Sequence, residues 1–230
     1  MWKQWVSVLV LLAIGDLFAG DEEGFRTWVT AFKQEALSQQ LSPQAVDATL
    51  NQVTYLPSVI ELDRKQPEFV TSFSTYVNRR ISPSVVARGK RMMQDYGGVL
   101  YVVEELYQVP QQVLVAFWGL ETNYGGYLGN FVLPSALATL AYEGRRAEFF
   151  KRELLNLTRV VEREQLYDQP VTGSWAGATG HMQFMPSTLL KYGVDADQDG
   201  KIDIWSSYPD IFSSAANYLS QAGWQPGAPI

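Results

Sequence analysis

The chain of 230 residues has no cysteine, a single histidine and no surplus of positive charge. The absence of cysteine excludes a disulfide framework, a thiolate metal site and a lipidated N-terminal cysteine. With His181 alone, a histidine-cluster zinc site is excluded and a Ser-His triad has little support; His181 reads as a loop residue with no chemical duty. The net charge of −6 leaves no basic field to hold a polyphosphate. Apart from pairs such as Arg79-Arg80 and Arg145-Arg146, the cations are scattered, so no nucleic acid partner is expected. No segment after the N-terminal region is long and apolar enough to cross a bilayer, which takes about 20 such residues.

The N-terminal region has a pattern of its own. Lys3 precedes an apolar run from Trp5 to Ile14, and the small residues Ala19 and Gly20 precede Asp21-Glu22-Glu23. That order resembles a secretory signal peptide, with a permanent anchor as the alternative. Residues 1–20 are therefore expected to be removed, leaving 21–230 as a soluble, exported, non-lipidated chain without stable membrane insertion. A bacterial periplasm fits these features. The composition, 47% hydrophobic and 13% aromatic with no internal repeat, supports one domain around one sizeable core.

Helix punctuation is dense. Ser42-Pro43, Ser82-Pro83, Val109-Pro110, Met185-Pro186 and Tyr208-Pro209 each put proline where a first helical turn begins, with serine as a cap in the first two. Gly97-Gly98, Gly193 and Gly223 are read as helix ends. Apolar spacing within the segments is helical and few stretches alternate as strands do. The chain is read as mostly α, with long loops at 168–182 and 194–208.

Glu121, in "FWGLETNYGGYLG", is the residue with the clearest chemical implication. A helix starting near Pro110 puts Val113, Phe117 and Glu121 at i, i+4 positions, so a carboxylate continues an apolar face and is expected to point inward. Apolar surroundings and the negative end of the helix dipole both oppose ionisation, and a glutamate kept protonated near neutral pH can act as a general acid. A satisfied structural acid at a helix end is the alternative. A second stretch, Gly173 to Ser187, has three glycines, an amide and two methionines before a helix at Pro186. It lacks the lysine of a phosphate loop; its glycines suit close approach of backbone to a ligand or a helix. Ser174 and Gln183 can orient an acid or bind sugar hydroxyls and amides; Tyr124 and Phe184 can wall a site.

The ordered motifs "GLETNYG", "LATLAYEGRRAEFF", "GSWAGATGHMQFMPST" and "DADQDGKIDIW…AANYL…GW" resemble the membrane-bound lytic murein transglycosylase B family, whose catalytic core is related to goose-type lysozyme. The resemblance runs from about Phe25 to Trp224. It implies a lysozyme-like helical catalytic domain that cleaves the β-1,4 bond between N-acetylmuramic acid and N-acetylglucosamine, leaving a 1,6-anhydromuramic end. It assigns Glu121 as the single acid/base, with help from the substrate's 2-acetamido group. It also implies that Ser174 bonds the acid or the acetamido group, that Gln183 binds sugar, that Arg145 and Arg146 face the saccharide and its peptide stem, and that Tyr218 lines the cleft. Peptidoglycan strands are the expected partner, a cell-wall protein a second one, and the chain is read as a monomer. Members of the family continue past the position of Ile230, so the domain is read as C-terminally short. A hydrolytic muramidase and a catalytically weak peptidoglycan-binding module remain as alternatives.

"DADQDGKID" carries a separate signal. Asp195, Asp197 and Asp199 alternate, Gly200 suits a sharp turn and Lys201 can offer its carbonyl, as in the first half of an EF-hand loop. The twelfth position is Ser206, not a bidentate glutamate. The resemblance points to Asp210 as the missing carboxylate, with Asp203 a nearer candidate. A structural Ca2+ or Na+ is expected there, since three close aspartates repel one another. No cofactor is expected for the chemistry.

Overall fold

The computed structural model describes residues 22–65 and 72–227; the expected signal peptide lies outside them. Helix α1 covers residues 22–38. It is followed by α2 (Pro43–Leu50), α3 (Pro57–Lys65), α4 (Phe73–Arg80), α5 (Pro83–Asp95), α6 (Gly97–Tyr107) and α7 (Gln111–Thr122). Strand β1 (Phe131–Val132), α8 (Leu133–Glu143), α9 (Ala147–Arg163), β2 (Thr172–Gly173), α10 (Pro186–Tyr192) and α11 (Tyr208–Gln221) complete the order. The mostly helical expectation holds.

The helix starts follow the serine and proline signals. Ser42 accepts a hydrogen bond from the Ala45 amide ahead of Pro43, and Ser82 accepts one from Val85 ahead of Pro83. Ser207 does the same for Asp210 at the head of α11, with Pro209 in its first turn. Pro110 is itself the N-cap of α7. One boundary differs from the sequence reading: Gly97 and Gly98 open α6 directly after Tyr96, with no loop between. A break in direction needs only the one residue, and both glycines continue in helical geometry.

Two buried clusters hold the fold. In one, α1, α2, α8 and α9 meet through Phe25, Phe32, Leu50, Leu137, Phe150 and Leu154. Helix α8 is buried from Leu133 to Ala141, and its two polar side chains there, Ser135 and Thr139, accept from the amides of Thr54 and Leu56, both at 3.0 Å. In the other, α6, α7, α10 and α11 meet through Leu100, Leu114, Trp118, Leu189, Ile211 and Phe212. Each such side chain contributes about 1.5–3 kcal/mol on burial. Between the clusters lies a small antiparallel ladder that the sequence did not signal, pairing Phe131 with Gly173 and Val132 with Thr172. Bridges from Gly173 to Thr179 and from Thr179 to Phe184 extend it. The ladder ties the 173–184 segment to the chain just beyond α7.

Candidate active site

Helix α7 divides its side chains between core and cleft. Leu114, Val115 and Trp118 are buried, whereas Val113 and Phe117 are half-buried and Glu121 is exposed. The sequence spacing points the i, i+4 stripe inward as far as Glu121; instead Val113 and Phe117 only flank the core and Glu121 lies outside it. Val113 packs against the second core cluster, whereas Phe117 and Glu121 line an open cleft of about 360 Å3 that also takes in Met182, Gln183, Met185 and Tyr218. Phe117 and Tyr218 face each other with ring centroids 6.4 Å apart, and Phe184 lies 5.7 Å from Tyr218. Among the described residues lining this cleft, Glu121 is the only carboxylate.

Glu121 as a whole is exposed, yet nearby protein displaces enough water to raise its pKa above the ordinary 4.5. Arg80 on α4 opposes that rise through its charge. Burial, with Arg80 against it, thus sets the carboxyl's acidity. Arg80 Nη1 also donates to the Leu120 carbonyl at 3.5 Å, next to the acid.

The turn after α7 is tightly specified. Asn123 and Tyr124 have φ of 51° and 58°, a left-handed conformation few side chains adopt without support. The support comes from Tyr127 N donating to Thr122 O at 3.0 Å and Tyr124 OH donating to Val85 O at 3.0 Å. Tyr124 is buried against Trp118, so it is a packing residue and does not line the cleft.

The expected saccharide contacts fall in different places. Gln183 and Tyr218 share the cleft with Glu121. Gln183, at φ 48°, uses Nε2 to donate to the carbonyls of Leu128 and Gly180, both at 3.1 Å, which fixes its side chain against the chain beyond α7. Ser174 sits in the turn of the ladder, where its Oγ accepts from Ala178 N at 3.0 Å and its amide donates to Ala178 O at 2.7 Å. Arg145 and Arg146 lie at the α8–α9 junction and pair with Asp63 of α3, itself buried. Arg145 Nε donates to Asp63 Oδ2 at 2.7 Å. Neither arginine nor Ser174 lines the Glu121 cleft. The sequence reading missed Met182 and Met185 as cleft residues; their place between glycines and a helix start was the available signal.

His181 is not a bare loop residue. It is buried, its Nδ1 accepts from Trp118 Nε1 at 2.9 Å, and burial pushes its pKa down.

The acidic loop is ordered by its own amides. Asp195 Oδ2 accepts from Gly200 N at 2.9 Å, Asp199 Oδ1 from Lys201 N at 2.8 Å, and Gly200 turns the chain at φ 90°. Asp210, 1% exposed, accepts from Ala196 N at 2.7 Å and from Asp203 N at 2.8 Å. Carboxylate oxygens of Asp195, Asp197 and Asp210 lie within 4.8 Å of one another. Asp199 and Asp203 are not part of that group; Asp203 Oδ1 accepts from the amides of Trp205 and Ser206 instead. Burial raises the pKa of Asp210, an arrangement that fits a hard cation bound by oxygen.

The mostly helical domain, with one carboxylate among the described residues lining its aromatic and thioether-walled cleft, has a lysozyme-like form. Residues 24–230 match the family model described as "Transglycosylase SLT domain", and the chain belongs to that family. It is 34% identical over 196 residues to the membrane-bound lytic murein transglycosylase B of Escherichia coli (strain K12), covering 80% of this chain and 54% of that protein. The crystal structure of SltB3 from Pseudomonas aeruginosa in complex with NAG-NAM-pentapeptide is similar at a TM-score of 0.84 and 41% identity, covering 89% of this chain and 55% of the other. The Escherichia coli lytic transglycosylase Slt35 in complex with calcium is similar at a TM-score of 0.78 and 31% identity, covering 91% of this chain and 66% of the other. The chain thus spans little more than half the length of the first two relatives.

Proposed function

We propose that this domain is a peptidoglycan lytic transglycosylase that cleaves the β-1,4 bond between N-acetylmuramic acid and N-acetylglucosamine. The observation that carries the reading is the single carboxylate, Glu121, in the cleft of a transglycosylase-family fold. Two-carboxylate glycosidases place a second acid across the scissile bond, and here none lines the cleft among the described residues. The second role then passes to the substrate.

Glu121, whose pKa partial burial raises, gives its proton to the departing glycosidic oxygen as the C–O bond breaks. The 2-acetamido oxygen of the muramic residue attacks the anomeric carbon and forms an oxazolinium intermediate. The Glu121 carboxylate then accepts the proton of the C6 hydroxyl, whose oxygen displaces the acetamido group and closes the 1,6-anhydro ring. The same proton balance lets water take the hydroxyl's place, which is the hydrolytic outcome. In this reading Gln183 and Tyr218 hold the sugars beside Glu121, and Ser174, Arg145 and Arg146 meet more distant parts of the strand and its peptide stem.

Asp195, Asp197 and Asp210 would hold a calcium ion. Its charge would neutralise the cluster and pin the loop ahead of α11, apart from the chemistry. The relative crystallised with calcium supports that assignment. An exported, periplasmic chain with residues 1–20 as signal peptide, acting as a monomer on glycan strands, is part of the same proposal.

The test is mass spectrometry of purified peptidoglycan digests, with borohydride marking reducing ends. Anhydromuramic ends are the expected product. Borohydride-reducible ends would mean hydrolysis, and intact glycan with retained binding would mean a binding module.

A further inference from the structure

The end of α7 that carries Glu121 is fastened by one residue from a different part of the chain. Thr122, the neighbour of Glu121, donates from Oγ1 to the His181 carbonyl at 2.8 Å. Trp118, three residues before Glu121, donates from Nε1 to His181 Nδ1 at 2.9 Å. Because Nδ1 accepts, the ring is neutral with its proton on Nε2, and it has a hydrogen bond to the Trp205 backbone. The His181 amide donates to Ile204 O at 3.1 Å.

That loop is itself anchored, since Asp203 N donates to the buried Asp210. The fit is close: a Cβ on Gly125, at φ +73°, would stand 2.5 Å from the imidazole Cε1. One imidazole and its peptide thus join the last turn of α7 to the 203–210 loop.

We propose that His181 is a positioning residue for Glu121, fixing the last turn of α7 so that the acid faces the cleft at a defined depth. The inference rests on the reading of Glu121 as the acid/base. Among the described residues, the charged group that acts on Glu121 is Arg80 on α4, which is left unchanged in the variants below. Releasing the turn exposes the carboxyl to more water. Its acidity then moves toward that of an ordinary glutamate, and its distance to the scissile oxygen is no longer held.

The test compares His181→Leu, which fills the space but cannot accept from Trp118, with His181→Asn, whose side-chain oxygen can stand in for Nδ1. Trp118→Phe removes the donor and keeps an aromatic ring in the core. On muropeptide fragments, kcat of His181→Leu should fall on the order of 10- to 100-fold, the cost of an acid misplaced by about an ångström, with KM within about twofold. Trp118→Phe should fall in parallel, the pair should be non-additive, and His181→Asn should recover most of the loss.

Carboxyl-carbon NMR titration of Glu121 is the second readout, and it requires no turnover. Its pKa should drop in His181→Leu and return in His181→Asn. An unchanged Glu121 pKa and unchanged kcat per folded molecule in His181→Leu would overturn the proposal, as would a loss that merely tracks thermal stability. Absence of any glycan cleavage by the parent chain would instead defeat the functional reading, while the titration still decides the positioning role.

Discussion

Calcium should stabilise the folded domain by an amount that can be worked out from the Asp195, Asp197 and Asp210 cluster. With oxygens within 4.8 Å, each pair of charges repels by at least about 0.9–3.5 kcal/mol across the dielectric range from water to a protein surface. Pairs with exposed Asp197 belong at the low end because water screens them. A divalent ion removes this repulsion, and at 100 times its Kd it adds about 2.7 kcal/mol. For a domain of this size about 2–4 °C of Tm accompanies each kcal/mol, so calcium should raise Tm by about 5–11 °C over chelator.

The pH dependence has a definite sign. Burial raises the folded-state pKa of Asp210 above its ordinary 3.8, so without an ion its proton stabilises the folded state at low pH. That contribution is lost as pH rises through the folded value. The ion binds the deprotonated carboxylate, so its gain should be large near neutral pH and shrink in acid. Calorimetry with calcium and with EDTA, on the parent and on Asp210→Asn, measures both effects. Asp210→Asn should lose the calcium gain. Equal Tm for the parent chain with calcium and with EDTA at neutral pH would refute the argument.

The raised pKa of Glu121 predicts that it stays protonated to higher pH than a free glutamate, so the alkaline limb of the pH profile for kcat/KM should lie above the ordinary carboxylate value. Arg80→Ala removes the opposing charge and should move that limb further toward alkaline pH, read from initial rates on muropeptides. Gly129→Ala places a Cβ 2.1 Å from the Gly173 carbonyl carbon and 2.6 Å from Ser174 N, at a φ of +92°. It should cost about 1–3 kcal/mol, seen as a lower Tm, and should impair glycan cleavage by shifting the ladder that carries Ser174.

The fold was legible where local chemistry decides it. Serine followed by proline marked the starts of α2 and α5 because the hydroxyl accepts a first-turn amide and proline gives up none. The i, i+4 spacing of Phe117 and Glu121 correctly put them on one face. It could not tell a core face from a cleft wall, since half-buried aromatic and thioether walls look apolar in either setting. The β1–β2 ladder was illegible because two-residue strands carry no period. His181 was passed over because its partners, Trp118 and Thr122, are some sixty residues away and only the tertiary fold joins them. Asp210 was reached through resemblance; Asp203, nearer in sequence, caps a turn instead.

The central claim is that one carboxylate does the work of both acid and base. Glu121 is exposed and its substitution removes no core contact, so Glu121→Gln should fold with a Tm close to that of the parent chain. The variant should still bind purified peptidoglycan. Release of anhydromuropeptides should fall on the order of 10²- to 10⁴-fold, the range lost with a general acid/base. A folded Glu121→Gln that releases the same products at more than about a tenth of the parent rate would contradict the account.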